Sequence, residues 1–292
     1  MRVTERSNFE TVQANSAAAR ERQVKAGEVV ATGLKLERPW DGTGAGRVAL
    51  ERVSSVQAAA IALAAESAGA ELQATDRALE ATVEALTDAL ELAVQMANAS
   101  YNASDRTRTA AAVRSLKQSV ISSLNIEVAG RFTLGGTLDQ SQPFDASGAY
   151  VGDAGVRQIE TGPGVLTDAS LRADRFIAGV GGGIDVLAAL ERFATALEAN
   201  DIVGVGASID EVQSSITQVA LGRTELGAMG LSAEAVSITS RTLELSAIER
   251  KVALTEADFI ESATELALAE RALEANIAVT SKSFKFTLLD RL

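Results

Sequence analysis

The stretch LEATVEALTDALELAVQMA, residues 79–97, decides the fold. Its apolar residues Leu79, Val83, Leu86, Leu90, Ala93 and Ala97 step 4, 3, 4, 3, 4 along the chain. That stepping lays one stripe of a helix against a partner helix, as in a coiled coil. Glu80, Glu84, Asp88 and Glu91 fall off the stripe. They read as a solvated ridge, because ligands of a hard cation must converge on one point.

The proline map extends the helix in both directions. Prolines stand only at 39, 143 and 163, so 40–142 and 164–292 contain none. A helix interior tolerates proline poorly, and two long helical stretches around a short middle are expected. The first runs over 47–125 with a break near Tyr101–Asp105, a rod of roughly 100 Å at about 1.5 Å per residue. The second resumes at Ile184, where Leu187, Leu190, Phe193, Ala194 and Leu197 share a face that stops near Asn200-Asp201. Helix is expected again over 205–225 and 231–282, with a separation around Gly227–Gly230. There Ile238, Leu245, Val252, Phe259, Leu266 and Leu273 lie seven apart. Companion positions Thr255, Ser262 and Ala269 are small, so this ladder needs a partner helix, for which the N-terminal arm running antiparallel is the candidate. Both seams fit either the chain's own core or contacts held for neighbouring subunits.

The ends and the middle differ in texture. Residues 1–38 carry a thin apolar stripe, including Val3, Phe9 and Val12, too sparse for a stable lone helix. Gly33 and Pro39 end it, and the turn-rich 40–46 follows with Trp40 as its one large apolar side chain. Over 126–184, glycines interrupt short segments such as Arg131-Phe132-Thr133-Leu134, which reads as strands joined by turns. The run Gly179-Val180-Gly181-Gly182-Gly183 closes this insertion. It lacks the Lys-Ser or Lys-Thr of a phosphate loop and reads as a flexible junction. At the C-terminus Phe284, Phe286, Leu288, Leu289 and Leu292 crowd together, whereas chain ends are ordinarily polar and frayed. An apolar end implies a docking surface.

Composition removes chemistries. With no Cys and no His, no disulfide, Cys/His zinc site, thiol nucleophile or imidazole base can form. A balance of 27 basic against 39 acidic residues, net −12, argues against nucleic acid. The longest wholly apolar run, Ala58 to Ala65, is short of the roughly 20 residues of a membrane span, and no cleavable signal peptide is evident. Asn98-Ala99-Ser100 and Asn102-Ala103-Ser104 match the glycosylation pattern. No cofactor or metal is expected.

Several motifs, in order along the chain, carry a resemblance. They are Met1-Arg2-Val3-Thr4; Thr32-Gly33-Leu34-Lys35-Leu36-Glu37-Arg38-Pro39; and Gly130-Arg131-Phe132-Thr133-Leu134-Gly135-Gly136 with Pro143-Phe144 and Tyr150-Val151-Gly152-Asp153. Arg223-Thr224-Glu225-Leu226-Gly227-Ala228 and the terminal Leu288-Leu289-Asp290-Arg291-Leu292 complete the set. Together they resemble the flagellin superfamily, and within it the hook-associated proteins. Trp40-Asp41-Gly42-Thr43 departs from the usual S-D-D-P, as does Arg291 from the usual Tyr.

The resemblance implies a mainly α, flagellin-like fold: a long antiparallel helical rod with paired terminal arms and a small β-rich insertion. Its parts would be an N-terminal assembly arm (1–39), rod halves (40–125 and 185–275), an outer insertion (126–184) and a C-terminal assembly arm (276–292). It implies a non-enzymatic adaptor between flagellar hook and filament, outside the cell, exported without a cleavable signal. Expected partners are further copies in a ring or short helical layer, another hook-associated protein on the hook side, flagellin on the filament side and an export chaperone. Neither nucleic acid nor membrane is among them. Val3, Phe9, Val12, Phe284, Phe286, Leu288, Leu289 and Leu292 would serve subunit assembly. A short flagellin forming the filament itself is the alternative, and a soluble coiled-coil signalling scaffold is the alternative from another class.

Overall fold

A computed structural model describes the backbone over residues 2–35, 44–162 and 164–289, and side chains over 10–35, 44–162 and 164–282. The turn around Trp40 and the side chains of Val3, Phe9, Phe284, Phe286, Leu288, Leu289 and Leu292 therefore lie outside the described residues.

Seven helices and four short strands are present among the described residues. In chain order they are α1 (Arg2–Thr32), α2 (Ala45–Met96), α3 (Ala103–Leu124), β1 (Glu127–Val128), β2 (Arg131–Phe132), β3 (Gln158–Gly162), β4 (Val165–Asp168), α4 (Ala173–Phe176), α5 (Val186–Glu198), α6 (Ile202–Thr255) and α7 (Phe259–Leu289). β1 pairs antiparallel with β2, and β3 with β4. The chain forms two compact units, residues 1–57 with 243–292 and residues 58–242.

In the unit 58–242 the core lies among α2, α3, α5 and α6. α2 buries two heptad rows: Ala58, Ala65, Leu72, Leu79, Leu86 and Ala93, and beside them Ile61, Ala68, Thr75, Thr82, Ala89 and Met96. Leu79 and Leu86 are fully buried, whereas Val83 and Leu90 are only half-buried against the edge of the cluster. Beside Leu79 and Leu86 the second row has Thr82 and Ala89 in place of the larger Val83 and Leu90. Small side chains let helices approach closely, and Thr75 and Thr82 satisfy their hydroxyls on the Glu71 and Ala78 carbonyls at 2.9 and 2.8 Å.

Opposing it, α6 buries Val205, Val212, Val219, Leu226, Ala233 and Ser240, again seven apart. Ion pairs set the register: Arg223 grips Asp76 at 2.8 and 3.1 Å, and Arg241 pairs with Glu66. The pairing is antiparallel, since rising positions on α6 meet falling positions on α2.

One expectation about the second half is corrected, and one left open between core and neighbours is narrowed. α6 runs unbroken through Gly227 and Gly230. A helical glycine costs up to about 1 kcal/mol against alanine, which the flanking buried Leu226 and Ala233 offset. The helix stops instead at 256–258, where Asp258 accepts from the Ile260 and Glu261 amides at 2.8 and 3.2 Å and caps α7. Also, the ladder Ile238, Leu245, Val252 and Phe259 is exposed. The chain's own seam in α6 uses positions such as Ser240 and Ala247, two residues further on and about 200° around the helix.

In the unit 1–57 with 243–292, α1 packs against α7. Gly33 closes α1 in the left-handed conformation, φ 70°, as expected of a helix C-terminus. The next residues pair with the α6–α7 break: the Lys35 amide donates to the Thr255 carbonyl at 2.8 Å, and the Ala257 amide to the Gly33 carbonyl at 2.9 Å. Further along, Asn276 Nδ2 donates to the Asn15 carbonyl at 3.2 Å, so the two helices run antiparallel.

α2 also contains an 18-residue window of mean hydropathy 1.3, apolar and long enough by composition to cross a membrane. The expectation drawn from unbroken apolar runs missed this window because scattered polar residues divide it.

Candidate assembly surface

The insertion motifs that carry the resemblance meet in one local knot. Tyr150 packs on Phe144 with ring centroids 5.3 Å apart, and its hydroxyl lies 2.8 Å from the Asp153 carbonyl and 3.1 Å from that of Leu134. Asp153 accepts from the Thr137 and Gly155 amides at 2.7 and 2.9 Å and from the Thr137 hydroxyl. These donors hold its carboxyl below the ordinary carboxylate value. Gly136 has φ +74°, and a Cβ there would lie 2.6 Å from the Asp153 carbonyl oxygen. Burial raises the Tyr150 hydroxyl's pKa. The knot is thus structural, and Leu134 and Phe144 tie it to the core.

Buried polar side chains fasten the helix ends. Arg106, 2% exposed, donates to the Met96 and Asn98 carbonyls at 3.1 and 3.0 Å and to Asn200 Oδ1 at 2.6 Å. One guanidinium thereby holds the α2–α3 turn to the α5–α6 turn. Gln218 donates to the Phe176 and Ile184 carbonyls at 3.0 and 2.8 Å and accepts from the Ile184 amide at 2.8 Å. These bonds fasten the residues on either side of the glycine run 179–183, which is itself a turn with Val180 to Gly183 exposed. At Gly179 (φ +73°) a Cβ would lie 2.6 Å from the Ile184 carbonyl carbon. Sequence reading missed Arg106 and Gln218, because a lone polar residue in a helix gives no local signal of a distant partner.

Lys117 and Arg114 on α3 clamp α5: Lys117 reaches Glu191 at 2.9 Å, and Arg114 reaches Glu191 at 3.1 Å and Glu198 at 2.5 Å. Lys117 first, then Arg114, holds the Glu191 carboxyl below its ordinary 4.5; Arg114 does so for Glu198. A depressed folded pKa contributes stability that is present above the unfolded value and lost as pH falls through the folded one. We expect the melting temperature to be level from neutral pH down to about 5 and to fall between about pH 4 and 2. Glu191→Gln should blunt that fall; a melting temperature that rises on acidification would contradict the assignment. The acidic ridge is exposed as expected, with Glu80 3.5 Å from Arg223.

The unit 1–57 with 243–292 is built differently. Among its described residues the buried ones are small: Ala19, Ala247, Thr255 and Ser262. Val12, Leu266 and Leu273 are half-buried. Large apolar side chains point outward: Leu50, Val53 and Val56 on α2, Leu245, Ile248 and Val252 on α6, and Phe259, Ile260, Leu268, Ile277 and Val279 on α7. Phe259 is 71% exposed and Leu245 61%. Helices that keep their bulkiest residues in water while burying alanine have an unfilled packing capacity.

The described residues form a mainly α chain with antiparallel helical pairings and two small hairpins. Solved structures share this fold. A flagellar hook-associated protein from Vibrio parahaemolyticus superposes with a TM-score of 0.65 at 21% identity, over 73% of this chain and 99% of its own. Flagellar hook associated protein-3 from Legionella pneumophila gives a TM-score of 0.58 at 12% identity, over 70% and 97%. The flagellar junction protein FlgL from the same organism gives 0.53 at 12% identity, over 65% and 99%. No protein-family model matches the sequence, and no curated protein matches it significantly. What these likenesses establish is the fold.

Proposed function

We propose that this chain is a structural subunit of the bacterial flagellum, an adaptor at the hook–filament junction that packs its terminal helices against neighbouring subunits. The observation that carries the reading is the unit of α1 and α7, which buries small residues and presents Leu245, Phe259, Ile260, Leu268 and Ile277 to solvent. Burying such faces at about 25 cal/mol per Å² is the driving force available to a polymer. The fold shared with hook-associated proteins across nearly their whole length supports the same reading.

On this reading the partners are further copies in a ring or short helical layer, a hook-associated protein on the hook side, flagellin on the filament side and an export chaperone. The protein acts outside the cell, exported without a cleavable signal. Val3, Phe9, Val12, Phe284, Phe286, Leu288, Leu289 and Leu292 join the assembly surface. Glu66, Asp145, Asp153, Glu191 and Glu198 are all pulled down by cationic or hydroxyl partners, as in ion pairs and turns that hold a fold together.

Deleting the gene tests the proposal. Cells should lose filaments and spill flagellin into the medium. A chain lacking 284–292 should accumulate normally yet fail to restore filaments. Filaments that persist in the deletion strain would overturn the adaptor reading; purified wild-type filaments composed of this chain would establish the short-flagellin alternative.

A further inference from the structure

Glu71 is an anomaly in the helical core. It stands on α2 beside the buried Leu72 and is itself 4% exposed. A carboxylate so placed persists only with partners that compensate its lost hydration. Its two partners come from the insertion: Arg131 on β2 at 3.5 Å, and Arg157 at the root of β3.

The β3–β4 hairpin stands on two feet. One is apolar, with Ala169 and Leu171 2% and 1% exposed in the core. The other is Arg157. Its carbonyl accepts from the Ala169 amide at 2.7 Å, its amide donates to Ser170 Oγ at 2.8 Å, and its guanidinium lies on Glu71. Beyond the feet, the side-chain bonds of the hairpin stay within it: Gln158 to Asp168, Thr161 with Thr167, and the Gly164 amide to Glu160. Val165 and Leu166, adjacent and so on opposite faces, are 57% and 60% exposed. Ile159, Thr161 and Thr167 on one face are half-buried, and the other face is exposed; a two-stranded hairpin with so little cover gains little from its surroundings, and its direction is set at its feet.

We propose that Glu71 is the catch that fixes the direction of the β3–β4 hairpin, so that without its charge the hairpin swings about Ala169–Leu171 as a unit. The physical reason lies in Arg157. Burial disfavours its charge and lowers its pKa, and the Glu71 carboxylate beside it compensates. Deprived of Glu71, the guanidinium regains water by moving residue 157 outward, and the hairpin follows. Arg131 is less dependent on Glu71, because it is 41% exposed and has Asp139 at 3.9 Å.

The chain has no cysteine, so two introduced ones label unique sites. Spin labels on the full chain at Gln73→Cys (α2) and Val165→Cys (β4) report the direction of the hairpin as a distance distribution. The native background should give one narrow distribution. Glu71→Gln should broaden it about twofold and speed tryptic cleavage after Arg157 about tenfold, with the far-UV helical signal unchanged. Arg157→Gln should broaden it equally, and Arg131→Gln should leave it narrow. An unchanged distribution in Glu71→Gln overturns the proposal. Should Glu71→Gln instead lose helix, Arg157→Gln decides: a broad distribution with intact helices supports the catch, and a narrow one overturns it.

Discussion

Alanine at Phe193 is expected to lower the stability of the unit 58–242 by about 3–5 kcal/mol. Phe193 lies on α5, fully buried, within the face formed by Val186, Leu187, Leu190, Ala194 and Leu197. That face packs on α3 and belongs to the cluster that also holds Leu79, Leu86, Val113, Val120 and Val212. Removing the ring forfeits its transfer free energy, and the rigid helices around it can close the cavity only partly. For a unit of this size the loss corresponds to a fall in melting temperature of roughly 10 °C or more. Thermal unfolding followed at 222 nm is the measurement. A change under about 1 kcal/mol, within the range of an ordinary surface substitution, would mean that α5 is not part of the cooperative core.

The opposite behaviour is expected for Leu245→Asp combined with Phe259→Asp. Both side chains are mostly exposed in the single chain, so each charge enters water and the melting temperature should move within the small range of surface substitutions. Assembly should suffer severely. If neighbours cover these residues, each aspartate must be desolvated without a partner, which opposes association by several kcal/mol. Cells carrying the double variant as their only copy should make soluble, folded protein but few filaments. Normal filaments would remove this face from the assembly surface. A collapse of monomer stability would show that the face is filled within the chain.

The two variants illustrate what periodicity can and cannot tell. The pattern of Leu79 and Leu86 was legible because large residues stood at heptad spacing, and Leu187, Leu190, Phe193, Ala194 and Leu197 marked the buried face of α5 correctly. The adjoining row is not legible in this way: Val83 and Leu90 have the bulk, while the interior uses Thr82 and Ala89. On α6 the same bias was stronger. That helix carries two ladders of period seven about 200° apart, and the conspicuous one, Ile238–Leu245–Val252, faces outward. Hydrophobic period identifies a face that seeks burial; it does not say whether the chain itself supplies the cover. The continuity of α6 through Gly227 and Gly230 was hidden likewise, because a glycine's cost is local and its compensation comes from buried neighbours.

By itself the sequence determined a mainly α chain of two long helical stretches around a glycine-rich, strand-forming insertion. It also located the break near residue 101, the end of α1 at Gly33 and the exclusion of cysteine and histidine chemistry. These follow from rules local in the chain: proline placement, heptad stepping, helix-ending glycine and composition. Tertiary packing alone reveals that Arg106 joins two helix turns, that Gln218 ties Phe176 to Ile184 across the glycine run, that Glu71 pairs with the root of a hairpin, and which ladder of α6 stays in water. Each of those depends on residues far apart in sequence. A buried charge or an uncovered leucine is defined by its surroundings, and surroundings exist only once the chain has folded.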